Sequence, residues 1–248
     1  MEELIQRIAK ALTASKKTVA LTGAGISVES GIPPFRGKGG LWEKIDPMEY
    51  AHIDAFMEDP KKVWEGLIKE TQEFIEKARP NDAHLGLARL EKMGMLKSII
   101  TQNIDGLHQA AGNLDVIEFH GSFAWHYCLD CGRKTAASDM DVTRLPPRCD
   151  CGGIFRPDCV FFGEMIPPDH LSRSRRLAAS CDVMLVVGTS AIVHPAAMMP
   201  VIASENNAMV VEINMEETPL TGEVSDFIIT GPAGDIFNRI MAELEAGR

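Results

Sequence analysis

Residues Thr22–Gly37 read TGAGISVESGIPPFRG, and the apolar run Val19-Ala20-Leu21 feeds directly into them. A strand ending on Gly23-Ala24-Gly25 lets the backbone turn tightly and lets a phosphate approach it. Ile26–Ser30 can open a helix, whose free N–H groups and partial positive charge suit an anion, and Ser27 adds a hydroxyl. Gly31, Pro33 and Pro34 stop that helix and lead into Phe35-Arg36-Gly37, a Pro/Gly-bounded loop that reads as a lid. The full dinucleotide fingerprint needs a third glycine where this chain has Val28. Taken alone, the stretch fits an ordinary βα turn as well as a nucleotide site.

The flanking sequence puts the stretch in an α/β fold. Residues 1–15 read as an amphipathic helix, with Leu4, Ile5, Ile8 and Leu12 on one face. Strands are expected at 18–22, 96–101, 116–120, 183–187, 209–214 and 227–230. Helical patterning falls at 54–78 (with a break at Asp59-Pro60), 83–93, 168–179, 196–205 and after 233. The Gly37–Gly40 loop reads as flexible, with Leu41-Trp42 as its anchor. Alternating strands and helices predict a Rossmann-like parallel sheet with helices on both faces.

Ligands of such sheets bind beyond the carboxyl ends of the strands. Here the strands end in GAGIS, QNID, His120-Gly121, Gly188-Thr189-Ser190, Asn214 and GPAG, all small or polar. A polar turn explains Asn103 and Asp105 equally well one at a time. The convergence carries more weight than any single motif. His120 is the side-chain type best matched to general-base work near neutral pH. Asp105 can accept N–H bonds from a carboxamide, and Asn103 can position water or a ribose hydroxyl. Gly188, Thr189 and Ser190 suit a phosphate or ribose. Phe161-Phe162-Gly163-Glu164 reads as an edge to which a peptide can add a strand, or as core packing.

Length and composition narrow the class. A chain of 248 residues buries a real core, and 45% hydrophobic with 24% charged content is ordinary for a globular protein. A net charge of −10 argues against a general nucleic-acid binder. Residues 1–15 lack the pattern of a signal peptide, and no apolar run approaches a membrane span, so cytoplasmic residence and no membrane partner are the default expectations.

Four of the six cysteines form two short pairs, Cys128-x-x-Cys131 and Cys149-x-Cys151. Paired cysteines across a loop are the arrangement that closes a tetrahedral zinc site, and four protein ligands make the zinc structural. Such an ion contributes on the order of 10 kcal/mol to folding its own module. Cys159 and Cys181 fall outside the pairs and read as core thiols.

Together, GAGIS with ESGIPxFRG, TQNID, HG, the paired cysteines, FFGE, GTS, IN and the late GxAG resemble the sirtuin family, the NAD-dependent protein lysine deacylases. The resemblance covers nearly the whole chain. The motifs are closest to class III-like prokaryotic members. It implies an NAD-binding Rossmann-like domain (1–34, 79–121 and 159–248). A smaller domain (35–78 and 122–158) would carry the cofactor loop, a helical module and the Cys₄ zinc module. Gly23, Ala24, Gly25 and Ser27 would hold the NAD phosphates and ribose. Phe35, Arg36, Gln102 and Asn103 would lie against the nicotinamide ribose, and Ile104 and Asp105 against the carboxamide. Gly188, Thr189, Ser190, Asn214 and Ala233 would line the phosphate, ribose and adenine side. Val160, Phe161, Phe162, Gly163, Glu164 and Val193 would flank an acyl-lysine tunnel, with His120 as the base and Asn103 beside it. The implied reaction consumes NAD and an acyl-lysine protein or peptide, giving nicotinamide, O-acyl-ADP-ribose and free lysine. An NAD glycohydrolase or protein mono-ADP-ribosyltransferase shares the first step and is the alternative; a non-enzymatic nucleotide-sensing module is a third.

Three departures stand out. Pro34 replaces the Asp or Thr often found in the lid motif, and Met215 follows Asn214 where Pro is common. Succinyl- and malonyl-removing relatives carry Tyr-x-x-Arg, and the aligned positions here are Leu67 and Glu70. A glutamate there would repel an acyl carboxylate, so acetyl or longer uncharged acyl groups are expected.

Overall fold

Helix α1 (Glu2–Ala14) turns Ile5, Ile8, Ala9 and Leu12 inward and leads into β1 (Thr18–Thr22), which is buried at all five positions. A strand covered on both faces belongs in the middle of a parallel sheet. A helical run follows: α2 (Pro47–Tyr50), α3 (Ile53–Glu58), α4 (Pro60–Val63), a π-helical turn at Trp64–Ile68, and α5 (Lys69–Lys77). Next come α6 (Asp82–Lys92), β2 (Ser98–Thr101), α7 (Leu107–Ala111) and β3 (Val116–Glu118). Strands β4 (Gly121–Cys128), β5 (Lys134–Ala136) and β6 (Phe155–Cys159) occupy the cysteine-bearing region. The chain closes with α8 (Pro168–Ala178), β7 (Val183–Val187), α9 (Met198–Glu205), β8 (Met209–Asn214), β9 (Phe227–Thr230) and α10 (Ala233–Ala246). This computed structural model describes residues 1–37 and 39–247; Lys38, within the Gly37–Gly40 loop, and Arg248 lie outside the described residues.

The main sheet has six parallel strands in the order β3-β2-β1-β7-β8-β9. In register, Leu21 lies between Ile100 and Val186. Successive residues of a strand face opposite ways. Ala20, Ile99, Leu185 and Val211 therefore pack under α1, α6 and α10, while Val19, Ile100, Met184 and Val210 pack under α8 and α9. The strand order reverses between β1 and β7. A crevice opens at that point of a doubly wound sheet, and ligands bind there.

A second, antiparallel sheet has the order β5-β4-β6. The helical run packs against it through Phe56, Val63, Trp64, Ile68, Phe123 and Phe161. Trp64 Nε1 donates to the carbonyl of Phe155 at 3.0 Å, tying the helices to β6.

Three elements differ from the sequence expectation. The helix expected at Ile26–Ser30 is a 3₁₀ helix over Ala24–Ser30, ended by Gly31 at φ 88°. The patterned stretch 54–78 breaks at Asp59-Pro60 as expected, where the Asp59 side chain accepts from Lys62 N, and is divided again by the π-helical turn at Trp64–Ile68. The helix expected from Ala196 begins at Met198.

Candidate active site

The loops after β1 and β7 interpenetrate. Gly23 N donates to Val187 O at 3.0 Å, and Gly25 N donates to Gly188 O at 2.7 Å. A Cβ on Gly25 would sit 2.7 Å from Gly188 Cα, and one on Gly188 would sit 2.2 Å from Ile26 N. Gly188 also holds φ +60°. These glycines are thus required by loop-to-loop contact, a demand separate from the approach of a phosphate.

Beside this contact lies a cavity of about 830 Å³. Gly23, Ala24, Gly25, Phe35, Arg36, Gln102, Asn103, Ile104 and His120 line it from the first half of the chain. Val160, Phe161, Phe162, Gly163, Glu164, Gly188, Thr189, Ser190, Val193, Asn214 and Ala233 line it from the second. Of the residues anticipated from sequence, Ser27 and Asp105 stand behind this wall, and the four paired cysteines lie elsewhere. Sequence reading missed Trp42 as a wall residue, along with Ile68, Thr71 and Phe123. Trp42 stacks on Phe35 with centroids 5.2 Å apart, and Phe162 lies 6.5 Å beyond it. An aromatic two residues past the lid glycines was the available signal.

His120 follows β3, and its Nδ1 lies 3.0 Å from the carbonyl oxygen of Gln102. A carbonyl only accepts, so Nδ1 carries the proton and Nε2 keeps the lone pair. Burial pushes the imidazole below its ordinary value, and the Gln102 bond opposes that only in part. The ring is therefore neutral at neutral pH. Gln102 is fixed in turn: its Nε2 donates to Thr189 Oγ1 at 2.9 Å.

Behind the wall, Asn103 Nδ2 donates to Gly23 O and to Ser27 Oγ, both at 3.1 Å. Ser27 Oγ donates to Asp105 Oδ2 at 2.7 Å, and Leu107 N donates to Asp105 Oδ1 at 3.0 Å. Burial raises the Asp105 carboxyl above its ordinary range, against these bonds. The network joins the end of β2 to the loop after β1. Two histidines unassigned from sequence, His84 and His108, pack 4.9 Å apart beneath it. Burial lowers them to about 4 and about 3, and His108 Nε2 lies 2.9 Å from Thr22 Oγ1.

The opposite end of the cavity differs from expectation in two ways. The segment after β6 is not open along its whole edge. Phe162 N donates to Ala51 O at 2.9 Å, and its carbonyl accepts from Ile53 N at 3.0 Å. A strand added there must use the other side of the segment. Glu70 is also exposed and does not line the cavity, whereas Leu67, Ile68 and Thr71 do. The π-helical turn at Trp64–Ile68 buries Trp64, Leu67 and Ile68 and leads into α5, whose Lys69 and Glu70 are exposed. The anticipated repulsion by Glu70 is replaced by a wall that is mainly apolar.

The Sγ atoms of Cys128, Cys131, Cys149 and Cys151 lie within 4.8 Å of one another. Cys128 and Cys151 are 3.5 Å apart, and Cys131 and Cys149 3.7 Å. Zinc–sulfur bonds of about 2.3 Å in a tetrahedron require sulfur separations of about 3.8 Å. The cluster fits one structural zinc ion, despite the single residue between the second pair. Phe155 packs on Cys128 and Cys149.

Comparison with known proteins agrees across the chain. A model described as the Sir2 family matches residues 23–195. The NAD-dependent protein deacylase 2 of Pyrobaculum aerophilum is 47% identical over 239 residues, 96% of this chain and 95% of that one. A crystal structure of a Sir2 homolog–NAD complex superposes with TM-score 0.90 at 43% identity, covering 98% of this chain and 94% of the other. A Sir2 complex with a deacetylated p53 peptide and 3′-O-acetyl ADP ribose superposes with TM-score 0.92 at 37% identity, covering 96% and 98%.

Proposed function

The chain belongs to the Sir2 family, and from that premise we propose how its own residues carry out the reaction. The protein is an NAD-dependent protein lysine deacylase. It releases nicotinamide and free lysine and leaves the acyl group on ADP-ribose. Its partners would be acyl-lysine proteins or peptides, a reading supported by solved Sir2 structures that hold p53 peptides. Among the described residues no helix is long and apolar enough to cross a membrane.

NAD, when bound, supplies the ribosyl carbon that takes the acyl oxygen and the nicotinamide that leaves. The phosphates would lie along Gly23, Ala24, Gly25 and the Gly188–Ser190 loop, with Asn214 and Ala233 toward the adenosine. Gln102, Asn103 and Ile104 would face the nicotinamide ribose, and Ser27 and Asp105 would hold Asn103 and the β1 loop in place behind them. Asp105 keeps a further lone pair on each oxygen beside its Ser27 and Leu107 bonds, with which it would accept from a carboxamide. Phe35, Arg36 and Trp42 would close over the ribose and exclude water. Neutral His120, held by the Gln102 carbonyl, accepts a ribose hydroxyl proton at Nε2.

The acyl-lysine would enter beside Val160–Glu164 and Val193 and end against Leu67, Ile68 and Thr71. That wall presents no cation, which supports uncharged acyl groups over succinyl. We propose the division into a nucleotide-binding unit (1–34, 79–121 and 159–248) and a smaller unit (35–78 and 122–158); in its support, all six strands of the parallel sheet fall in the first unit and the helical run α2–α5 in the second.

The observation that carries this reading is one continuous cavity holding His120 between the glycine loops and the Phe162 turn. Incubation with NAD and acetyl-lysine peptide, with mass spectrometry of the products, tests it. O-acetyl-ADP-ribose in equal amount to deacetylated peptide is expected. ADP-ribose alone, or ADP-ribose attached to protein, would show the glycohydrolase or transferase chemistry instead.

A further inference from the structure

Arg156 belongs to none of the motifs, yet its side chain is only 2% exposed. Its Nη1 and Nη2 donate to Glu164 Oε1 and Oε2, each at 2.7 Å, and Nη2 also donates to Cys159 O at 2.7 Å. The guanidinium lies 4.5 Å from the Phe161 ring centroid and 5.3 Å from that of Tyr127. Glu164 Oε2 accepts a further bond from Phe161 N at 2.8 Å. Glu164 N in turn donates to Phe161 O at 3.1 Å. The pair therefore closes the turn Phe161–Glu164 from inside, around Gly163 at φ +87°. The outer side of that turn docks on Ala51 and Ile53 through Phe162.

A buried ion pair is weak as a source of stability, since an apolar pair of similar volume often does as well. What a bidentate arginine adds is fixed direction. Here that direction sets where Val160 and Phe162 stand at the cavity wall. The bonds of the pair do not reach the Gly23–Gly25 loop, and the segment they hold touches His120 only through its backbone, where Val160 N donates to the His120 carbonyl at 2.8 Å. We propose that the Arg156–Glu164 pair is a positioning device for the acyl-lysine chain, acting on peptide binding and not on NAD binding. This rests on assigning the Val160–Glu164 turn to the substrate side.

The test uses the whole zinc-loaded protein. Arg156→Met/Glu164→Gln removes both charges, and Arg156→Lys keeps one point charge that cannot hold two carboxylate oxygens and Cys159 O together. Melting temperature, binding of a labelled acetyl-lysine peptide, binding of ADP-ribose, and KM for peptide and NAD are measured for each. The double variant is expected to melt near wild type. Its peptide Kd and KM should rise about tenfold or more, while ADP-ribose Kd and NAD KM stay within about twofold. Arg156→Lys should show the same split at about three- to fivefold, and it carries the test if the double variant does not fold. Peptide affinity equal to wild type in both variants would overturn the proposal, as would peptide and ADP-ribose affinity falling together. A wild-type protein that binds ADP-ribose but no acetyl-lysine peptide would instead remove the substrate assignment of the turn, and the proposal with it.

Discussion

His120 Nδ1 sits 3.0 Å from the carbonyl oxygen of Gln102, so the bond between these two residues selects the tautomer of the proposed base. It also connects the base to the opposite wall, because Gln102 Nε2 donates to Thr189.

Activity should follow the charge on that ring. Burial lowers its pKa from the ordinary 6.5, so the neutral form persists below that pH. The acid limb of deacylation is therefore expected to be centred below about pH 6.5, with the neutral, active form prevailing above it. A kcat/KM profile with an acid limb centred above 7 would contradict the assignment. His120→Ala should lose about 10²-fold or more in turnover.

Gly188→Ala tests the loop contact. The new Cβ would meet Ile26 N at 2.2 Å, and φ is +60°. A backbone atom cannot rotate away as a side chain can. A loss of about 1–3 kcal/mol, hence roughly 3–10 °C in Tm, is expected, with NAD KM raised as well. A variant that melts like wild type would show that the two loops separate easily.

Metal analysis should find one zinc per chain, bound by the four thiols within 4.8 Å of one another. Chelation is expected to abolish deacylation, because β6 carries both Phe155, packed on Cys128 and Cys149, and Arg156. Circular dichroism should retain most of the helical signal, since the six-stranded sheet and its helices have cores of their own. Full activity without zinc would count against this dependence.

Acyl selectivity separates Thr71 from Glu70. Thr71 lines the cavity and Glu70 is exposed. Wild type should remove acetyl groups at least about tenfold faster than succinyl groups, judged by kcat/KM on matched peptides. Thr71→Arg should narrow that ratio, and Glu70→Arg should leave it unchanged. The reverse result would restore the simple sequence alignment of the two positions.

The residues themselves determined the parallel sheet, the strand ends that bear the site, and the zinc cysteines. Each rests on short-range chemistry: a short apolar run such as Val19–Leu21 running into glycines favours a buried strand, and Cys128-x-x-Cys131 brings two sulfurs together on one turn. The place of His120 on the cavity wall was legible because it falls just past a strand and before a glycine. Tertiary structure alone decided which nitrogen of His120 is free, that Gly25 and Gly188 need each other, and that Glu164 is held by Arg156. It alone turned Glu70 outward and brought Thr71 in. Those outcomes depend on groups from different turns and strands, 8 residues apart for Arg156 and Glu164 and 18 for Gln102 and His120, meeting within hydrogen-bond distance. Local sequence spacing carries no record of such meetings.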